Sequence, residues 1–164
     1  MPVLSRIAVI EAPAERGFAH VDDIRNLAGH MSGQGSMPMM GSKLALEIVS
    51  QEPTGIGATY RYSGRLMGLA IDFSETVTRY VPGREKVWRT IGTPLLIIID
   101  SYEMGILVEP LAETRSRLTL TLDYELPRSG LRGLLARLLA ADYARWCLGS
   151  TAEGTVQSLQ GSAA

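Results

Sequence analysis

Residues 117–125 read RLTLTLDYE, and this stretch carries the clearest structural pattern in the chain. Apolar residues alternate with polar ones there, at Leu118, Leu120, Leu122 and Tyr124. Such alternation is typical of a strand with one face on a core and the other in water. After Pro127 leucines recur at helical spacing, which predicts one long helix over residues 128–159. We therefore expect a sheet whose apolar face is covered by a C-terminal helix.

The same alternation extends back to Lys43 and is cut into six predicted strands by turn signals. The signals lie at Pro53-Thr54-Gly55, Met67-Gly68, Pro82-Gly83, Thr93-Pro94 and Glu109-Pro110. Connections this short require antiparallel neighbours, because a parallel crossover takes a dozen or more residues. Residues 6–11 predict one further strand and residues 14–28 predict two short helices. The prediction is an α+β fold in one domain over 1–164, with a curved seven-stranded antiparallel sheet around the long helix.

Composition narrows the class of protein. Sixteen Lys and Arg against seventeen Asp and Glu give a net charge of -1, which argues against non-specific nucleic-acid binding. No apolar run approaches the roughly 20 residues of a transmembrane helix, and the start does not resemble a signal peptide. The single cysteine, Cys147, fits a reducing compartment, so we expect a cytoplasmic protein. Two histidines without ligand spacing predict no metal and no cofactor.

Three local motifs, taken in their order along the chain, resemble those of one superfamily. They are Ile10-Glu11-Ala12-Pro13-Ala14-Glu15 with Val21-Asp22-Asp23-Ile24 after it, Gly55-x-Gly57-Ala58-x-Tyr60, and Pro82-Gly83-Arg84. Together they resemble the START-like superfamily, also called SRPBCC, and in particular its polyketide cyclase/dehydrase-type members. The resemblance implies a helix-grip fold with a deep internal cavity. It implies no catalytic mechanism, because members of this fold do different things.

Strand phase places an acid on the inner face of the predicted sheet. With hairpin turns at Met67-Gly68 and Pro82-Gly83, the opposite pairs are Tyr62 with Phe73, Tyr60 with Glu75, Glu75 with Thr90, and Val77 with Trp88. Glu75 therefore shares a face with aromatic and aliphatic residues. A buried carboxylate without partners is costly, so we predict a hydrogen bond from Glu75 to Tyr60 or Thr90.

Two more acids lie in phase with apolar residues. Asp100 shares its phase with Tyr102, and Asp142 shares a helix row with Leu135, Leu139 and Trp146, from which it is predicted to reach the cavity. The alternative is that these acids are solvated at sheet ends or pair with Arg79 or Arg145. His30 and Met39 belong to a glycine- and methionine-rich segment that predicts an adaptable lid or a plug for the core. The predicted ligand-binding set is Tyr60, Tyr62, Phe73, Glu75, Trp88, Asp100, Tyr102, Asp142, His30 and Met39.

The leading hypothesis is binding of a small or medium hydrophobic ligand, such as a lipid or polyketide, in an internal cavity. One alternative is a polyketide cyclase/dehydratase-type enzyme that uses cavity acids and tyrosines for acid–base chemistry. A second alternative is a protein-interaction module without a ligand. The sequence leaves open the catalytic residues, the ligand and the oligomeric state, with a homodimer among the alternatives.

Overall fold

The computed structural model describes residues 3–23, 43–66, 69–95, 99–128 and 130–162. The elements are β1 (Val3–Ile10), α1 (Ala14–Asp22), β2 (Lys43–Ile48), β3 (Thr59–Leu66), β4 (Leu69–Val81), β5 (Glu85–Leu95), β6 (Ser101–Ala112), β7 (Arg115–Glu125) and α2 (Gly130–Ser162). The strands form one antiparallel sheet in the order β1-β7-β6-β5-β4-β3-β2. The predicted helix-grip architecture is confirmed. The second short helix was predicted over residues that extend beyond the described segment 3–23.

The predicted register of the two central hairpins is confirmed. Tyr60 lies opposite Glu75, and Glu75 lies opposite Thr90. The outer face of the β3–β4 hairpin is exposed to solvent, and Arg61 and Asp72 form an ion pair there with atoms 2.7 Å apart. A slip of one residue would exchange the two faces, so this register places Glu75 inside.

Two predicted turns are wrong, because both prolines lie inside strands. β6 continues through Pro110 to Ala112, where its register against β7 shifts, and the turn follows at residues 113–114. A proline is tolerated at such an irregularity because the ladder hydrogen bond is already interrupted. Pro94 lies within β5, beyond the pairing of β5 with β6 that ends at Arg89. Each strand is therefore longer than its proline suggested.

The long helix buries the opposite face from the one predicted. Its buried residues are mostly small: Ala136, Ala140, Ala144, Leu148, Ala152, Thr151, Thr155 and Leu159. The predicted inward row is wrong, because Leu135 and Leu139 are 45% and 48% exposed and Asp142 is exposed as well. α2 packs mainly on β1 and β7. Small side chains allow this close approach, since the sheet already supplies the large side chains of the core.

Replacing Ala140 by leucine is expected to lower the free energy of unfolding by about 1–3 kcal/mol. Ala140 is 1% exposed within the core cluster, so the added atoms have no room unless the helix moves. Chemical denaturation measures the change. Leu138→Ala is the control, because Leu138 is 67% exposed and its truncation should change stability little. A larger loss for Leu138→Ala would contradict the observed helix face.

Candidate functional site

Glu75 is the central residue of a buried polar cluster on the inner face of the sheet. It lies on β4 and is 1% exposed. The Tyr102 hydroxyl, on β6, donates a hydrogen bond to Glu75 Oε2 at 2.5 Å. Burial raises the pKa of Glu75 to about 7, although Tyr102, Tyr62, the charge of Lys86 and Trp88 oppose the rise. The carboxyl is therefore able to give or take a proton near neutral pH.

Aromatic rings surround this carboxyl on the sheet side. The Tyr62 and Phe73 rings are stacked with centroids 4.8 Å apart, and Phe73 meets Tyr102 edge-on at 6.1 Å. Tyr62 and Phe73 are almost completely buried. Rings in these arrangements attract one another beyond the effect of their burial. The result is one acidic group within an aromatic surface.

A buried lysine lies beside the acidic cluster. Lys86, on β5, is fully buried, and its Nζ donates to the backbone oxygen of Asp22 at 3.1 Å. Its Nζ also lies 3.3 Å from Asp22 Oδ1, while the Tyr80 hydroxyl donates to Asp22 Oδ2 at 2.6 Å. Burial lowers the pKa of Lys86, and Asp22 opposes the fall. This network ties the end of α1 to β4 and β5.

Two aromatic rings join the lysine to the site. Lys86 Nζ lies 5.4 Å from the ring centroid of Tyr60 and 5.4 Å from that of Trp88. At this distance a cation is attracted by the ring faces, and the attraction is greater when water is excluded. Trp88 and the charge of Lys86 both oppose the rise in the pKa of Glu75, so the lysine and the acid interact. The acid and the base are thus two parts of one buried assembly.

The inward orientation of Glu75 is confirmed, but its predicted partners are wrong. The Tyr60 hydroxyl donates to the backbone oxygen of Pro53 at 2.5 Å. Thr90 Oγ1 accepts a hydrogen bond from the backbone nitrogen of Tyr102 at 3.2 Å. Residues directly opposite share a face, but a tyrosine carries its hydroxyl far from its own Cα. The actual partner, Tyr102, reaches Glu75 across two strand spacings, or roughly 10 Å.

The other predicted site residues lie away from this cluster. Asp100 precedes β6, and its side chain is 44% exposed, with Oδ1 3.3 Å from Arg132 Nη1 on α2. Asp142 is on the outer face of α2, with Oδ1 3.2 Å from Arg145 Nη1, so the alternative of pairing with Arg145 is confirmed and the inward orientation is wrong. His30 and Met39, with the predicted lid, lie outside the described residues.

Sequence reasoning missed three members of the assembly. Lys86 shares the period-two phase of Trp88, and this signal was sufficient to place it inside. Asp22 ends α1, and no periodicity predicts its partner on a distant strand. Tyr143, on α2, acts on the cluster through its charge, which contributes to the raised pKa of Tyr102. Next to Tyr143, burial raises the pKa of Cys147 to about 12, which argues against a reactive thiolate there.

Comparison with solved structures shows the fold to be START-like. The Zhui aromatase/cyclase from a Streptomyces species is similar, with a TM-score of 0.75 at 14% identity over 97% of this chain and 93% of that one. Norcoclaurine synthase from Thalictrum flavum, solved with dopamine and hydroxybenzaldehyde, has a TM-score of 0.68 at 13% identity over 98% and 87%. A START superfamily protein from Mycobacterium smegmatis has a TM-score of 0.64 at 16% identity over 96% and 98%.

At the level of sequence, no family model matches the chain and no curated protein is similar to it. Within the described segments, no three His, Cys, Asp or Glu side chains are grouped as metal ligands would be. The helices described in the structure include none that is long and apolar enough to cross a bilayer. The likenesses at 13–16% identity therefore establish the fold and leave the function to the site itself.

Proposed function

We propose that this chain binds a small or medium hydrophobic molecule between the inner face of the sheet and α2, with a polar group of the ligand at Glu75. The observation that carries the proposal is the burial of Glu75 among Tyr62, Phe73 and Tyr102. A carboxyl in such surroundings costs folding free energy, and a core without a function would place an aliphatic side chain there. A carboxyl at this position is explained if it orients a ligand.

The chemistry of the cluster indicates the kind of ligand. The aromatic faces of Tyr62, Phe73 and Trp88 suit a flat, unsaturated or aromatic body. Glu75 donates a hydrogen bond when protonated and accepts one when ionised, so a ligand hydroxyl or carbonyl is a suitable partner. Lys86 holds a positive charge behind Tyr60 and Trp88 and favours a ligand with electron-rich or anionic character. A lipid or polyketide with one polar end has these properties.

A second candidate function is catalysis of the polyketide-cyclase type. The pKa of Glu75, raised by burial to about 7, suits a group that both removes and returns a proton at neutral pH. Tyr102 is hydrogen-bonded to it and is placed to relay or stabilise charge. Two proteins of the same fold, an aromatase/cyclase and norcoclaurine synthase, are named as enzymes. In this candidate Glu75 is the catalytic acid–base.

Our proposal extends to the setting of the protein. We infer a single domain that works in the cytoplasm, since the one cysteine forms no intrachain disulfide. The net charge of -1 supports a small-molecule partner rather than nucleic acid.

Native mass spectrometry of the purified full chain tests the binding proposal. We expect a co-purified molecule whose occupancy falls several-fold in Glu75→Gln, because the substitution removes the proton exchange at the polar end of the site. Glu103→Gln is the matched control, since Glu103 is exposed on neighbouring β6 and should leave occupancy unchanged. Folded, ligand-free protein under gentle purification would favour the interaction-module alternative and contradict the proposal.

The same preparation separates carrier from enzyme. The released molecule, once identified, is returned to fresh protein and followed by mass spectrometry. If the molecule is recovered unchanged, the result supports binding without catalysis. Conversion to a new product that is lost in Glu75→Gln and retained in Glu103→Gln supports the cyclase-type candidate.

A further inference from the structure

The first part of α2 carries an apolar face that the rest of the described fold leaves uncovered. Its five leucines are 73%, 56%, 45%, 67% and 48% exposed, in the order Leu131, Leu134, Leu135, Leu138 and Leu139. At ~100° per residue they span roughly 140° of the helix surface, opposite the buried alanines. We call these residues the leucine face. Five neighbouring leucines exposed together form a patch, and large apolar patches mark interaction sites.

Arginines lie beside the leucine face. Residues 127–141 contain Arg128, Arg132 and Arg137 and no Asp or Glu. On the helical projection Arg132 and Arg137 flank the leucines on opposite sides, roughly 220° apart across the face. All three arginines are exposed, and Arg132 also pairs with Asp100 at 3.3 Å. Asp142 ends the leucine face on its C-terminal side. An apolar stripe with basic margins is typical of a helix that lies in a membrane interface.

We propose that the leucine face docks on an anionic lipid surface, with the leucines in the acyl boundary and the arginines at the headgroups. Charge decides between this occupant and a second copy of the chain. Arg132 is paired with Asp100, but two copies meeting on this face would still bring Arg128 and Arg137 from each copy together, with no acid in residues 127–141 to offset them. An anionic bilayer attracts each arginine near its surface instead. The inference does not depend on ligand binding at Glu75.

Cosedimentation of the full chain with vesicles tests this docking. We expect binding to vesicles of phosphatidylcholine with phosphatidylserine, and weaker binding to phosphatidylcholine alone. The double variant Leu131→Glu/Leu138→Glu should lose about tenfold or more in partitioning, because both leucines leave the apolar boundary. Ile56→Glu is the matched control, since Ile56 is 72% exposed on the turn between β2 and β3 and this variant should bind as the unchanged chain does.

A second set of variants tests the contribution of the arginines to membrane binding. Arg128→Gln/Arg137→Gln should weaken binding to the anionic vesicles and reduce its dependence on salt, whereas Arg117→Gln on the outer face of β7 should not. Circular dichroism confirms that each variant is folded. The proposal is overturned if the unchanged chain stays in solution with both vesicles. It is also overturned if the leucine variants instead dissociate a dimer, which would make a second copy the occupant.

Discussion

Replacing Lys86 by methionine is expected to lower the free energy of unfolding by about 3–5 kcal/mol. Lys86 is fully buried, and its ammonium is the cation that faces the Asp22 carboxylate at 3.3 Å. Without Lys86, the Tyr80 hydroxyl is the one group of this network that still contacts the Asp22 carboxylate. The Asp22 side chain is only 12% exposed, so water does not replace the lost cation. Methionine preserves most of the volume between Tyr60 and Trp88, so the loss comes from the charge and its hydrogen bond rather than from a cavity.

Urea denaturation of the full chain measures this loss, and two further variants identify its cause. Lys86→Met/Asp22→Asn should recover part of the stability, because the unpaired charge is removed as well. Arg61→Met breaks the exposed ion pair with Asp72 on the outer face and should change stability only slightly, since water screens both charges. If Lys86→Met were no more destabilising than Arg61→Met, the lysine would be solvated and the buried assembly would not exist.

The sheet was predictable from the sequence because its pattern has a period of two. Once the two hairpin turns are located, counting residues from each turn gives the partner of every residue on the neighbouring strand. This count placed Glu75 on the inner face, between Tyr60 and Thr90. The pattern does not determine where a long side chain ends. Tyr60 lies directly opposite Glu75, yet its hydroxyl donates to the backbone oxygen of Pro53. Tyr102 lies two strands away from Glu75, and its hydroxyl donates to that carboxyl.

The buried face of α2 was harder to predict, because hydrophobicity is the only criterion that the sequence offers for it. Leu135 and Leu139 of α2 were predicted to lie on an inward row with Asp142 and Trp146, yet the alanines face the sheet. A helix that must approach a sheet already filled with aromatic and aliphatic side chains gains more from small residues than from large ones. The error therefore has a physical origin, and it exposed the leucine face as a feature that needs a separate explanation.

Glu75→Gln is expected to make the protein more stable than the unchanged chain above neutral pH, by about 3 kcal/mol. The pKa of Glu75 is raised by burial from 4.5 to about 7, so the folded state holds a proton that the unfolded state has released. Stability of the unchanged chain therefore falls as pH rises from about 4.5 to about 7. The size follows from ~1.4 kcal/mol for each pKa unit between the two values. Glutamine carries no charge to bury and still accepts from Tyr102.

Denaturation midpoints collected across this pH range test the expectation. The curves of Glu75→Gln and the unchanged chain should lie close together below the ordinary pKa of 4.5 and separate as pH rises toward about 7. Glu103→Gln, at an exposed position on β6, should follow the unchanged chain throughout. A constant offset between the Glu75→Gln and unchanged curves at every pH would mean that Glu75 does not titrate in this range. In that case Glu75 would carry a fixed charge at neutral pH, and the acid–base candidate would lose its chemical basis. A gap that widens with pH would instead show that the stability cost of the site comes from the proton that Glu75 is proposed to exchange.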